Sequence, residues 1–298
     1  MKCIDEEQLT HVAPIIGYHR APLSQKFGAP RQPNLVALIS VIEMLIPYDN
    51  PAAFAGLEAF SHIWLSWQFH HNYLNKKSAH NSEQDQQTKA APAADKPAFR
   101  PQVRPPRLGG NKKLGVFASR SMYRPSGLGL SVVKLEAIEV LEGRVLLLIS
   151  GADMIDGTPI IDIKPYVSYS DAYSDAASGF APSAPESLIV TMSELAEQQF
   201  EALINIKPID SEDKKVAELT AGTAKVAKAT VAAKIYSLQQ QLVVADKVLI
   251  IALIAQDPRP AYRREELNCS FVMRYKAVDI SFTQIELGTL QINSVIKV

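Results

Sequence analysis

The sequence predicts a mainly β N-terminal half, a largely antiparallel barrel or sandwich, followed by a smaller α+β unit. Three observations predict it. The N-terminal half is a succession of short Val, Ile and Leu runs bounded by Pro and Gly clusters, with no helical pattern between most of them. Residues 61–69 alternate, with Ile63, Leu65, Trp67 and Phe69 set against Trp64, Ser66 and Gln68, the period of a strand with one apolar face. From residue 193 onward Ala, Glu, Lys, Gln and Leu take over with apolar positions near helical spacing, and residues 269–297 return to alternation.

Taken in order, residues 12–17 and 35–46 read as the first two strands, set off by the prolines around 22–33 and 47–51. Strand 61–69 is followed by 72–98, a stretch too polar to bury enough surface to offset its ordering entropy, so a mobile insertion is expected there. Residues 114–119, 131–140, 144–150 and 159–166 continue the strand series, with Glu142 and Gly143 as a hairpin turn. Residues 168–185, rich in Ser, Ala, Asp and Pro, read as a linker, which places one domain over 1–170 and a second over 186–298. In the second, 193–204 and 211–255 read as helical, 269–275 and 277–282 as a strand pair, and 289–297 as a third strand.

A chain of 298 residues that is 47% hydrophobic can bury a real core and is long enough for two domains. No apolar run approaches the roughly 20 residues of a membrane helix. The N-terminus, MKCIDEEQLT, carries acids where a secretory signal carries a basic patch and an apolar run, so secretion is not expected. Cys3 and Cys269 stand far apart without neighbouring Cys or His at metal spacing, which indicates neither a disulfide framework nor a metal site. A reducing, cytoplasmic setting fits these features.

Charge is distributed unevenly. Lysines and arginines equal aspartates and glutamates at 31 each, yet no acid lies between Asp95 and Glu136. That interval holds Arg100, Arg104, Arg107, Lys112, Lys113, Arg120, Arg124 and Lys134 together with paired glycines and prolines. Such a local field attracts anionic ligands or polyanions, and the glycines and prolines fix backbone shape where a solvated basic loop needs none.

Four further clusters could carry chemistry. KFGAPRQ at 26–32 is a loop with Gly28 and Pro30 that presents Arg31 and Gln32. Glu58, Ser61 and His62 precede the alternating strand, and His70 and His71 follow it. The cluster from Asp153 to Tyr166 holds Asp156, Gly157, Thr158 and Pro159 as a turn between strands, which needs no chemistry to explain it. DPRPAYRR at 257–264 is stiffened by two prolines and is either a rigid connector or a nucleobase platform. In the second case Tyr262 stacks on a base, Asp257 accepts an amine hydrogen and the arginines meet phosphate. A Walker loop, an H-E-x-x-H helix, a serine elbow and the dinucleotide-binding glycine pattern are all absent.

Five of these stretches, in this order, resemble the TrmO/TsaA-like tRNA N6-methyltransferase family. They are KFGAPRQP at 26–33, LEAFSHIWLSWQFH at 57–70, RPPRLGGNKKLGVFASRSMYRPSGLGLS at 104–131, DGTPIIDIKPY at 156–166 and DPRPAYR at 257–263. The resemblance implies a non-Rossmann β-barrel that binds S-adenosylmethionine, a smaller C-terminal domain, a homodimer, and methylation of N6 of threonylcarbamoyladenosine at position 37 of a threonine tRNA. It implies cofactor contacts at Pro30, Arg31, Gln32, His70, His71, Arg120, Leu130, Asp156, Gly157, Thr158 and Pro159. A tRNA surface would use Arg104, Arg107, Lys112, Lys113 and Arg124, with Asp257, Arg259, Tyr262 and Arg263 near the target base.

Aspartate followed by proline and an aromatic is similar to the amine-holding loop of other N6-adenine methyltransferases, so Asp257 is the expected acceptor of the amine hydrogen and Tyr262 its aromatic partner. A non-catalytic RNA-binding barrel, or a methyltransferase with another acceptor, is the competing expectation. The chain departs from the family pattern in three places: the long 72–98 insertion, residues 207–245, and Ser126-Gly127, where the family commonly reads Asn-Pro. Replacing that proline with Gly127 is expected to loosen the turn.

Overall fold

The structure is a computed structural model that describes residues 11–71, 99–109, 111–205 and 230–298. Along the chain, β1 (Gly17–Arg20), β2 (Ile39–Met44) and β3 (His62–Gln68) precede two very short strands, β4 (Gln102–Val103) and β5 (Leu114–Gly115). Then come β6 (Leu128–Leu141), β7 (Arg144–Ser150) and β8 (Pro159–Pro165). Strands β1, β2, β7, β6, β3 and β8 close in that order into a barrel, while β4 and β5 form a separate two-stranded ribbon.

Closure decides between barrel and sandwich, and it comes from β6 and β8. The first part of β6, Leu128 to Lys134, pairs with β3, and the remainder pairs with β7 past a register shift between Leu135 and Ala137. One long strand therefore belongs to two walls and turns the corner at a bulge. β8 pairs with both β3 and β1 and seals the ring. The predicted alternation of β3 is observed: Ile63 and Leu65 are buried with Ile42, Val133, Leu147, Ile149 and Ile160. Trp64 faces out and donates its indole N–H to Asp171 at 2.9 Å. Glu142 and Gly143 both take positive φ, as a tight hairpin turn between twisted strands requires. The first strand begins later than the sequence suggests, at Gly17, because Pro14 in the predicted stretch has no N–H to give a ladder.

The C-terminal part contains α1 (Ser168–Asp171), β9 (Ile189–Met192), α2 (Glu194–Ile204), α3 (Val231–Gln240), α4 (Asp246–Ala255), β10 (Ser270–Tyr275), β11 (Val278–Glu286) and β12 (Thr289–Lys297). Ser193 caps α2 by accepting from the Ala196 N–H, and Ala196 and Phe200 turn inward. The sheet runs β10-β11-β12-β9, with β9 parallel to β12. The predicted helical stretch 211–255 contains two helices in its described part; the 72–98 insertion and residues 206–229 lie outside the described residues.

Packing crosses the expected domain boundary in both directions. Leu23, Val36 and Leu38, from the loops around β1 and β2, are buried in the core formed by α2, α4 and the C-terminal sheet. In return, α3 lays Val231, Ile235 and Leu238 against Val41, Leu146 and Leu148 on the outside of the barrel. Lys276, at the turn between β10 and β11, donates its backbone N–H to the Pro22 carbonyl at 2.7 Å. Its ammonium pairs with Asp246 at 2.8 Å, and both side chains are nearly sequestered from water. The second Asp246 oxygen accepts from the Tyr275 hydroxyl at 2.6 Å.

Removing one member of such a buried pair leaves an uncompensated charge. Asp246→Ala is therefore expected to destabilise the protein by about 3–5 kcal/mol, read as a lower urea midpoint. A loss below about 1 kcal/mol, the range of exposed pairs, would show that Lys276 is solvated instead.

Candidate functional site

The 26–33 loop is where the candidate residues meet. Phe27 lies against Phe271 and Phe282, with ring centroids 6.3 Å away in each case, so the loop is rooted in the C-terminal core. Gly28 takes φ +91 and passes so close to Met273 that a Cβ would overlap its side chain. From this anchor Lys26 donates to the His71 carbonyl at 2.7 Å, and Arg31 reaches the carbonyls of Asp257 and Arg259, each at 3.2 Å. The Gln32 side-chain oxygen accepts from the Arg120 guanidinium.

The turn at Asp156 to Pro159 is held from the strand beside it. The Asp156 carboxylate accepts from the Ala21 N–H at 3.0 Å and from Gln239 of α3 at 2.6 Å. Gly157 donates its N–H to the His19 carbonyl at 2.8 Å, and the Thr158 hydroxyl donates to the Ile155 carbonyl at 2.8 Å. Gly157 takes φ +74, and the place its Cβ would occupy lies 4.0 Å from Nε2 of His70, so the missing side chain leaves a gap against the imidazole. Burial, and next the neighbouring His71, lower the His70 pKa from its ordinary value, which favours the neutral ring. The rings of His70 and His71 are 4.2 Å apart.

The barrel end beneath Arg120 is polar but internally paired. The Trp67 indole donates to the Ser131 hydroxyl at 3.0 Å, which donates to Asp153 at 2.6 Å. Burial raises the Asp153 pKa, a shift opposed by the Ser131 hydrogen bond and the nearby Arg120 charge. Gly129 sits opposite Trp67 in the β3–β6 register, and any Cβ there would collide with the indole. Leu130, next to it, is exposed opposite Ser66. The Ser126-Gly127 departure from the family pattern forms a hydrogen-bonded turn. Gly127 takes φ +61, donates to the Arg124 carbonyl at 2.9 Å and accepts from the Phe69 N–H at 2.9 Å. Proline could supply neither that φ nor that donor.

The loop at 257–264 is organised around one carboxylate. Asp257 takes φ +49, and its Oδ1 accepts from Arg259 Nε at 2.7 Å while its Oδ2 lies 3.3 Å from a second Arg259 nitrogen. Arg264 Nε stands 3.2 Å from the same Oδ2, within ion-pair distance but not aligned for a hydrogen bond. Arg259 is 1% exposed and also donates to Gln284. The expectation that Arg259 meets RNA phosphate is therefore corrected: its guanidinium is a buried brace for the loop, consumed by Asp257 and Gln284. Arg263 donates to Glu266 at 2.7 Å and lies 4.6 Å over the Phe271 ring, whereas Tyr262 is 83% exposed.

The basic residues divide between two settings. Arg104, Arg107, Lys112 and Lys113 lie in the loop joining β4 to β5, and Arg107 is tied to the Ser183 carbonyl at 2.6 Å. Arg124 folds back to donate to the Ser119 carbonyl at 2.8 Å. The structure thus joins Arg31, Gln32 and Arg120 to the loop carrying Asp257, and it sets Gly157 facing His70. It keeps Arg104, Lys112 and Lys113 on the ribbon.

Two residues of the site carried no sequence signal: His19 sits in a strand and Gln239 in a helix behind a long gap, each unremarkable until folding brings it to its partner. Asp153 opens the 153–166 cluster, but only the fold supplies its partners Ser131 and Arg120. His19 is fully buried, its Nδ1 donates to the Ile155 carbonyl at 3.1 Å, and burial lowers its pKa from 6.5 to about 4. The unfolded chain takes up a proton in the window from pH 6.5 to 4 that the folded chain refuses, so stability falls as pH drops through it. The expected loss is about 3 kcal/mol between pH 7 and pH 4, measured by urea unfolding, and that component should vanish in His19→Asn. Equal losses in the variant and the parent would refute the assignment.

Residues 18–172 match the family model described as the tRNA-methyltransferase O N-terminal domain, and residues 224–298 match the TrmO C-terminal domain. The tRNA (adenine(37)-N6)-methyltransferase of Escherichia coli is 33% identical over 253 residues, covering 84% of this chain and 83% of the relative. RcsF of Pseudomonas aeruginosa, a relative with S-adenosylmethionine in its name, is 37% identical over 273 residues, covering 91% of this chain and 92% of the relative. A crystal structure of TrmO from Pseudomonas aeruginosa superimposes with a TM-score of 0.62 at 29% identity, covering 96% of this chain and 98% of that one. With both domain models matched and the barrel, the glycine turn and the DPRPAYR loop in place, this chain belongs to the tRNA-methyltransferase O family.

Proposed function

We propose that this protein is an S-adenosylmethionine-dependent tRNA methyltransferase that modifies N6 of threonylcarbamoyladenosine at position 37 of a threonine tRNA. The observation that carries the reading is the 26–33 loop, whose Arg31 and Gln32 tie the loop bearing Asp257 to Arg120. Family membership and the names of the relatives support the chemistry. The barrel over 1–170 holds the cofactor, the unit over 186–298 presents DPRPAYR to the base, and two copies form a homodimer in the cytoplasm. No helix among the described residues is long and apolar enough to cross a membrane.

The residues present fit a sulfonium cofactor. Gly157 leaves space against His70, whose lowered pKa favours an uncharged ring beside a positive sulfur, and Arg120 offers a cation for the carboxylate of the methionyl group. Pro30, Arg31, Gln32, His71, Leu130 and the turn Asp156, Thr158 and Pro159 complete the set. When bound, the cofactor supplies the methyl group on a good leaving group. The protein contributes alignment, an effect worth roughly 7–11 kcal/mol where two reactants are well oriented.

Tyr262 is exposed and free to stack on the target base, while Arg104, Arg107, Lys112, Lys113, Arg124 and Arg263 provide the positive field for the RNA backbone. Asp257 accepts the amine hydrogen through Oδ2. The buried Arg259 holds Oδ1 at 2.7 Å and reaches Oδ2 at 3.3 Å, and the misaligned, part-exposed Arg264 is the contact at Oδ2 that can yield to an incoming N–H.

Mass spectrometry of nucleosides from tRNA incubated with the enzyme and cofactor tests the function. The expected product is N6-methylated threonylcarbamoyladenosine, and its absence despite cofactor binding would point to another acceptor. Calorimetry with S-adenosylmethionine should give binding heat that is lost in Arg120→Ala; no heat in the parent protein would favour a non-catalytic RNA binder. For Asp257, proton-accepting help is worth about 10²–10⁴-fold. Asp257→Asn is expected to lower kcat by about a hundredfold or more with cofactor binding intact, and near-normal turnover would remove the role.

A further inference from the structure

The β4–β5 ribbon carries two aromatic side chains that neither core takes up. Phe99 precedes β4 and Phe117 follows β5. The pairing of Gln102 with Gly115 and the bond from the Val116 N–H to the Pro101 carbonyl, 2.9 Å, bring their rings to a centroid separation of 6.2 Å. Phe99 is 57% exposed and Phe117 69%, whereas Val116 beside Phe117 is buried and anchors the strand end. The Arg124 guanidinium stands 5.8 Å from the Phe117 ring, held there by the Ser119 carbonyl. Both rings lie in the interval between Asp95 and Glu136 that contains no acid.

Two large exposed rings beside the fixed Arg124 guanidinium suit a ligand with a π-face and a nearby negative charge. An apolar protein patch would match the rings but not the guanidinium, and a simple anion would match the guanidinium but not the rings. An unpaired nucleotide matches both. The position is suitable as well: three residues beyond Phe117, Arg120 holds Gln32 of the loop at the proposed cofactor site.

We propose that Phe117, braced by Phe99 and Arg124, is a stacking site for an unpaired nucleobase flanking the target adenosine in the anticodon loop. The inference rests on the tRNA reading above and adds to it a second aromatic position, distinct from Tyr262. The rings hold the neighbouring base unstacked from the target, so that the target can turn toward the cofactor.

The test uses the full-length protein and a threonine-tRNA anticodon stem-loop with 2-aminopurine placed in turn at the loop positions beside 37. The parent protein should change the fluorescence at one of these positions, and Phe117→Ala should abolish that change. The variant should also bind roughly tenfold more weakly at every salt concentration, with an unaltered salt slope and unaltered calorimetric affinity for S-adenosylmethionine. Lys112→Ala should instead reduce the slope by about one. Phe117→Trp should restore binding. Parent-like RNA binding by Phe117→Ala would overturn the stacking site, as would loss of self-association in sedimentation, which would place the rings between copies of the chain. If the parent methylates tRNA and Phe117→Ala does so equally well, only the stacking site falls; if the parent binds no RNA, both readings fall.

Discussion

Arg31 reaching two carbonyls of the Asp257 loop is the interaction on which the arrangement of the site depends. Its guanidinium is fixed by geometry at both ends. The loop behind it is pinned by Phe27 in the C-terminal core, and the carbonyls ahead of it belong to a loop whose carboxylate is already held by Arg259. Both bonds come from one terminal nitrogen, whose two N–H groups lie in the guanidinium plane and serve the two carbonyls at once. Gln32 and Arg120 extend the same chain of contacts to the barrel. The barrel and the C-terminal unit therefore meet at this junction as well as through α3 and the Lys276 turn, and the residues proposed for methyl transfer gather around it.

Burial sorts the charged residues into structural and available groups. Arg259 braces its loop through Asp257, and Lys276 fastens the C-terminal hairpin to α4 through Asp246 and to the segment after β1 through its backbone N–H. The Asp156 carboxylate closes a turn and meets α3 through Gln239. By contrast, the ribbon cations and the exposed rings of Phe99, Phe117 and Tyr262 lie at the surface. A residue type common in RNA recognition thus serves both purposes in this chain, and only its partners distinguish them.

Glycine placement follows the same logic at two positions. Gly129 gives the Trp67 indole room to lie across β6 and bond to Ser131, which orients Asp153 near Arg120. Gly127 closes the turn ahead of that strand with a donor and a left-handed φ that proline lacks.

The alternation of β3, the β6–β7 hairpin, the helix capped by Ser193 and the residues of five motifs were legible from the amino-acid order alone, because they depend on periodicity, turn chemistry and capping within a few neighbours. That order did not reveal β9, a four-residue strand without alternation strong enough to read, which forms by pairing with a strand about a hundred positions later. Nor did it separate Arg259 from Arg263, or show that α3 packs on the barrel. Those were decided by tertiary structure, since burial and partner choice depend on surfaces brought together from opposite ends of the chain. The family resemblance supplied which side chains to watch, and folding decided which of them brace the site and which remain free to meet a ligand.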